Sequence, residues 1–78
     1  MYYVYILMCA NKRTYVGYSK DLKARIERHK NGYVPATKYL RPVNLVTYIV
    51  FSDQYKAIAF EKYLKSGSGR AFLKKRLI

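Results

Sequence analysis

Tyr5, Tyr15, Arg25, His29 and Glu61 are polar residues set into stretches that otherwise read as apolar structure. Two tyrosines fall in consecutive strand-like runs, an Arg and a His follow on one helical stretch, and a lone carboxylate interrupts a later apolar stripe. Each type has its own chemical use. A phenol, with a pKa ordinarily of about 10, can act as a base if its surroundings favour the phenolate. The planar fork of a guanidinium matches the oxygens of a phosphate. A carboxylate can hold a hard cation such as Mg²⁺, which often takes one carboxylate together with waters and phosphate oxygens. Around these residues the chain is strongly basic, with 16 Lys and Arg against 4 Asp and Glu and a formal net charge of +12. Such an excess keeps a protein dispersed, but on so small a body it more often meets phosphate. The combination suggests chemistry on nucleic acid.

Each residue also has a plainer reading. Glu61 and Lys65 are four apart on a helix and could form an ordinary surface ion pair. Arg25 could lay its stem along the core edge and keep its charge in water. A single histidine near an apolar face is commonly a hydrogen-bonded structural residue, although its i,i+4 relation to Arg25 makes the two side chains neighbours. The chain has 10 tyrosines, and strands favour tyrosine, so most of them must serve packing.

At 78 residues, 51% of them hydrophobic, the chain suits one folded domain over residues 1–78. The single cysteine, Cys9, excludes an internal disulfide and fits a reducing, cytoplasmic location. One cysteine and one histidine cannot build a structural zinc site. Cys9 lies within an apolar run and reads as a small core or strand-end residue. The apolar run Met1 to Ala10 has no basic residue before it and is too short to span a bilayer, so no membrane or secretion signal is expected.

The elements that must position the five residues follow from pattern. Tyr2–Met8 and Arg13–Tyr18 are strands joined by the short polar turn Asn11-Lys12-Arg13, and should pair antiparallel. Gly17 within the second strand marks a bulge or a close approach by another group. Ser19 and Asp21 suit a helix start, and a helix should run from Asp21 to about Asn31, ended by Asn31-Gly32. On its wheel Leu22, Arg25, Ile26 and His29 share one arc. Residues 32–43, with two prolines, read as a loop. Asn44–Phe51 reads as a third, well-buried strand. Ser52-Asp53 should cap a helix to about Lys65, with Glu61 on its apolar arc, and Ser66-Gly67-Ser68-Gly69 should stop it before a short basic helix from Arg70 to Leu77. The expected architecture is α/β (α+β), a small three-stranded antiparallel sheet flanked by helices in the order β-β-α-β-α-α.

Tyr3-Val4-Tyr5, Tyr15-Val16-Gly17, Arg25 and Glu61 together resemble the GIY-YIG nuclease family, and the stretch from Thr14 to His29 is the most specific part of the likeness. The resemblance covers essentially the whole chain and is greatest to small single-domain bacterial members, often described as excinuclease-C-like endonuclease-domain proteins. It implies that Tyr5 and Tyr15 flank an attacking water, one of them receiving its proton. Arg25 would neutralise the scissile phosphate and His29 would assist. Glu61 would hold one divalent ion, Mg²⁺ or Mn²⁺, and Gly17 would let the backbone pass close to the site. The implied products carry a 5′-phosphate and a 3′-hydroxyl. The chain departs from the family pattern at Tyr3, where the first motif has Gly, at Tyr18, where some members have Lys, and beyond Glu61, where some have an Asn.

Larger relatives target DNA through a separate domain, so affinity here is expected from the chain's own basic residues, with Lys20, Arg28, Lys38, Arg41, Lys65 and Arg70 as candidates by position. The expected partner is nucleic acid, DNA before RNA, bound in a salt-dependent and poorly sequence-specific manner, with room for a protein partner in targeting. Two other readings stay open: a non-catalytic nucleic-acid-binding module, and a partner-activated subunit of a repair complex.

Overall fold

In the computed structural model, which describes residues 1–78, the elements are β1 (Tyr2–Met8), β2 (Thr14–Ser19), α1 (Leu22–Lys30), a 3-10 turn (Lys38–Leu40), β3 (Asn44–Phe51), α2 (Gln54–Lys65) and α3 (Gly67–Arg76). The sheet order is β2-β1-β3, with both pairings antiparallel. This is the expected α+β arrangement of three strands and three helices. No helix is long and apolar enough to cross a membrane.

The centre of the sheet is β1, and its alternation divides the interior in two. Val4 and Ile6 point to one face, where Val16, Ala57, Leu64 and Leu73 close a core under α2 and α3. Tyr5 and Leu7 point to the other, with Cys9, Val43 and the inner side of α1, Leu22 and Ile26. Neither half-core is large, and both hang on the same seven-residue strand.

Both helix starts follow their sequence signals. Asp21 accepts from the Ala24 N–H at 3.1 Å, and Asp53 accepts from the N–H groups of Tyr55 and Lys56 at 2.8 and 3.3 Å. Two expectations need correction. Strand β3 is an edge strand, with Leu45, Val46, Tyr48 and Val50 all more than a third exposed. An apolar run marks a strand but does not say how many neighbours cover it. The segment 66–69 does not separate two helices by a stretch of loop. Ser66 caps α3 directly, its hydroxyl accepting from Gly69 N–H at 3.2 Å, and the two glycines form the helix's first turn. Residues 32–43 form the expected loop, which contains the 3-10 turn and buries Val34, Thr37 and Val43.

The two glycines of α3 differ sharply in what surrounds them. A Cβ on Gly69 would collide with the Tyr63 carbonyl and with Leu64 Cα, whereas one on Gly67 would meet nothing within 4 Å. Gly67→Ala is therefore expected to leave stability unchanged or raise it by up to ~1 kcal/mol, the helical advantage of Ala over Gly. Gly69→Ala is expected to lower it by about 1–3 kcal/mol through overpacking against backbone. Urea unfolding midpoints of the two variants check this, and equal midpoints would contradict it.

Candidate active site

The register of β1 on β2 sets Tyr5 opposite Gly17. A side chain at Gly17 would overlap the Tyr5 ring, its Cζ and hydroxyl included, so the phenol of Tyr5 occupies the space that a residue at 17 would fill. The close approach expected at Gly17 is made by Tyr5. The ring crosses the edge strand there and its hydroxyl meets His29, the one buried residue of α1.

Tyr5 Oη lies 2.8 Å from His29 Nε2, and His29 Nδ1 lies 2.7 Å from Thr37 Oγ1. All three residues are essentially inaccessible to solvent. Burial first, and then the neighbouring Tyr15, push the Tyr5 phenol well above its usual value, so Tyr5 keeps its proton. Its only hydrogen-bond partner in the protein is His29, so the phenol donates to Nε2. Nδ1 then carries the imidazole proton and donates to Thr37 Oγ1. Burial, reinforced by Arg25, lowers the His29 pKa and keeps the ring neutral at neutral pH. The result is a directed chain, phenol to imidazole to hydroxyl, in which no group of the protein donates to the Tyr5 oxygen.

Tyr15 completes an aromatic cluster. Its ring is 5.1 Å from His29, edge to face, and 6.4 Å from Tyr5. Arg25, partly buried on α1, acts electrostatically on both Tyr5 and His29. The Glu61 carboxylate, from α2, acts on Tyr5 as well. Tyr15 and His29 thus pack against the Tyr5 phenol, and Arg25 and Glu61 lie within electrostatic range of it. Thr37 joins them from the 32–43 loop. No sequence pattern announced it, because its role depends on the fold bringing that loop against α1.

Glu61 Oε2 accepts from Lys65 Nζ at 3.1 Å, the sole salt bridge of the chain. Its side chain is 21% exposed and Oε1 has no hydrogen-bond partner. No three His, Cys, Asp or Glu residues cluster to wrap a metal ion with protein ligands alone. One reachable hard oxygen donor fits an ion that keeps most of its waters, as Mg²⁺ does, and does not fit zinc. Tyr18, where some family members have Lys, turns to the other face of β2 and stacks on Tyr2. Its hydroxyl is buried without a hydrogen-bond partner.

The six basic candidates scatter. Lys65 and Arg70 lie at the α2–α3 junction. Lys20 sits 6.0 Å over the Tyr2 ring, Lys38 sits 5.5 Å over the Tyr39 ring, and Arg28 is exposed on α1. Arg41 donates to the Lys38 and Lys30 carbonyls at 2.9 and 3.4 Å, which ties its guanidinium to the loop.

The buried chain makes two outcomes measurable. Thr37→Val keeps the shape but removes the partner of His29 Nδ1, and is expected to cost about 1–3 kcal/mol in urea unfolding. The pH dependence follows from His29, the only histidine. Its folded pKa is depressed below the ordinary 6.5, so the unfolded chain protonates first on acidification. The His29 contribution should be level above pH 6.5 and should fall as pH drops from there towards the folded pKa. Unfolding midpoints that stay flat through this range would show that His29 protonates as readily in the fold.

Comparison with known proteins bears on the family and the fold. Similar proteins include a UPF0213 protein from Pediococcus acidilactici, 37% identical and covering 94% of this chain and 78% of its own length. Another, from Staphylococcus saprophyticus, is 38% identical over 94% of this chain and 90% of that protein. The solution NMR structure of a UPF0213 protein from Bacillus halodurans superposes with a TM-score of 0.61 at 33% identity, covering 96% of this chain and 84% of that one. The family model of the GIY-YIG catalytic domain, a domain of nucleases, matches residues 1–76. The chain belongs to the GIY-YIG catalytic-domain family.

Proposed function

We propose that this protein is a metal-dependent endonuclease that hydrolyses phosphodiester bonds, with DNA as the substrate. The observation that carries the reading is the Tyr5–His29 hydrogen bond, held inside an aromatic cluster and under the charges of Arg25 and Glu61.

A phenol with a raised pKa cannot act as a base alone. It can pass a proton on. A water donating to the Tyr5 oxygen gives up its proton as the phenol's own proton moves to His29 Nε2, so the phenol is neutral before and after. The imidazolium formed keeps its Nδ1–H on Thr37. His29 resists this in the free protein, partly because Arg25 repels a second positive charge. A phosphate seated on Arg25 offsets that repulsion, so substrate binding itself raises the basicity of His29. Arg25 then faces the charge that develops on the phosphorus oxygens. Tyr15 borders the water's approach beside His29. Glu61 would hold a divalent ion, Mg²⁺ or Mn²⁺, which when bound would supply Lewis-acid polarisation of the phosphate and of the leaving oxygen. The Oε1 of Glu61 carries no hydrogen bond, while Lys65 occupies Oε2. The proposed products carry a 5′-phosphate and a 3′-hydroxyl, and a protein partner would add targeting.

The proposed location is the cytoplasm. It is supported by the lone Cys9, buried and with its thiol pushed up by burial, which needs no oxidising compartment.

Labelled single-stranded, duplex and branched DNA, with RNA alongside, tests the proposal at low salt with Mg²⁺ or Mn²⁺. The expected result is metal-dependent cutting that Glu61→Ala lowers at least about a hundredfold while binding persists. Binding without cutting under every metal, by the native chain and the variant alike, would refute an autonomous nuclease.

A further inference from the structure

The larger of the molecule's two hollows opens beside the candidate active site, between the β1–β2 turn and the α2–α3 pair, with a volume of about 680 Å³. Five cations line it: Lys12 and Arg13 from the turn, Lys65 from the end of α2, and Arg70 and Lys74 from α3. No Asp or Glu side chain does. Only Lys65 has an anionic partner, Glu61. Tyr15 forms part of the wall, which makes the hollow continuous with the tyrosine–histidine cluster. Its floor is apolar, built by Val16, Leu64 and Leu73. The second hollow, of about 570 Å³ on the opposite face of the sheet, is different in kind, because Asp21 and Glu27 there offset Lys20, Lys23 and Lys30.

Cations from three elements lining one hollow repel one another, and a polyanion laid among them relieves that repulsion. We infer that this groove is a binding track for the backbone of an unpaired nucleic-acid strand that runs to or from the scissile phosphate. The direction of the strand rests on the nuclease reading; the groove's preference for an unpaired strand does not. A duplex keeps its base faces stacked inside and would offer the groove only its charged edge, leaving the apolar floor bare. An unpaired strand can set phosphates against the cations and lay base faces on the floor and on Tyr15, the pairing of charge and flat apolar surface by which single strands are held. Lys65 links the track to the chemistry. A phosphate in the groove competes with Glu61 for its ammonium, so loading the strand bares the carboxylate.

The test is equilibrium binding with divalent metal chelated, across a salt series. The probes are a single-stranded DNA, a single-stranded RNA and a blunt DNA duplex of equal length. The native chain is compared with Arg13→Gln/Arg70→Gln/Lys74→Gln and with Lys23→Gln/Lys30→Gln/Lys56→Gln, all at exposed positions where circular dichroism verifies folding. The native chain is expected to hold at least one of the single strands about tenfold or more tighter than the duplex. The groove variant should lower the slope of log K against log salt on that strand by about 2, near 0.7 for each lost phosphate contact. The other triple variant should lower it by less than half as much. Equal losses in both variants, or a duplex bound as well as either strand, would overturn the groove. Should the groove variant bind normally while the native chain still cuts with metal, the nuclease reading survives and the track fails. Should the native chain bind through the groove but cut under no metal, the track survives and the nuclease reading fails.

Discussion

A strand covered on both faces has nowhere to put a polar group except into a hydrogen bond, and β1 is such a strand. Val4 to Leu7 are all buried, and Tyr5 is the one among them with a hydroxyl. That hydroxyl is satisfied by His29, which obliges α1 to lie with its single histidine inward. The second nitrogen of His29 needs a partner in turn and finds Thr37, which draws the 32–43 loop against the helix. A polar group left unpaired in such a place costs about 1–3 kcal/mol, a large share of what a domain this small can hold. The same bonds that close the second half-core therefore align the groups proposed for proton transfer.

Charge is distributed with comparable tightness. Of the four carboxylates, Asp21 and Asp53 cap helices, Glu27 is exposed and Glu61 meets Lys65. Fifteen of the sixteen Lys and Arg side chains are left with no carboxylate of the chain to pair with. The fold is thus built with its neutralising charge outside itself. Its one ion pair lies where a divalent cation and a phosphate would each want one of the partners.

The order of elements, the two aspartate caps and the expected contact at Gly17 were legible in the sequence because each is a local effect: periodicity, a side chain reaching three residues on, a missing Cβ. The burial of β3 was misread because an apolar run is the same whether one neighbour or two lie beside it. Ser66 to Gly69 looked like a break because glycine usually ends a helix. At Gly69 the requirement is room beside the Tyr63 carbonyl, which only the packing of α3 on α2 reveals. Thr37 could not be read at all, and neither could the convergence of Lys12, Arg13 and Lys74 with Lys65 and Arg70. Both depend on segments far apart in sequence meeting in space.

The edge strand β3 carries no charged residue over its eight positions and exposes Leu45, Val46, Tyr48 and Val50. Edge strands are ordinarily guarded by a lysine or a bulge that blocks pairing with a second sheet. β3 has such a bulge at Val46, between the Ile6–Thr47 and Leu7–Leu45 pairs; the other guard is the molecule as a whole, since two bodies of charge +12 approach against long-range repulsion. That protection is borrowed from the solvent. High ionic strength shortens its range, and a bound polyanion cancels it. Colloidal stability is therefore a property of this protein's surroundings as much as of its fold.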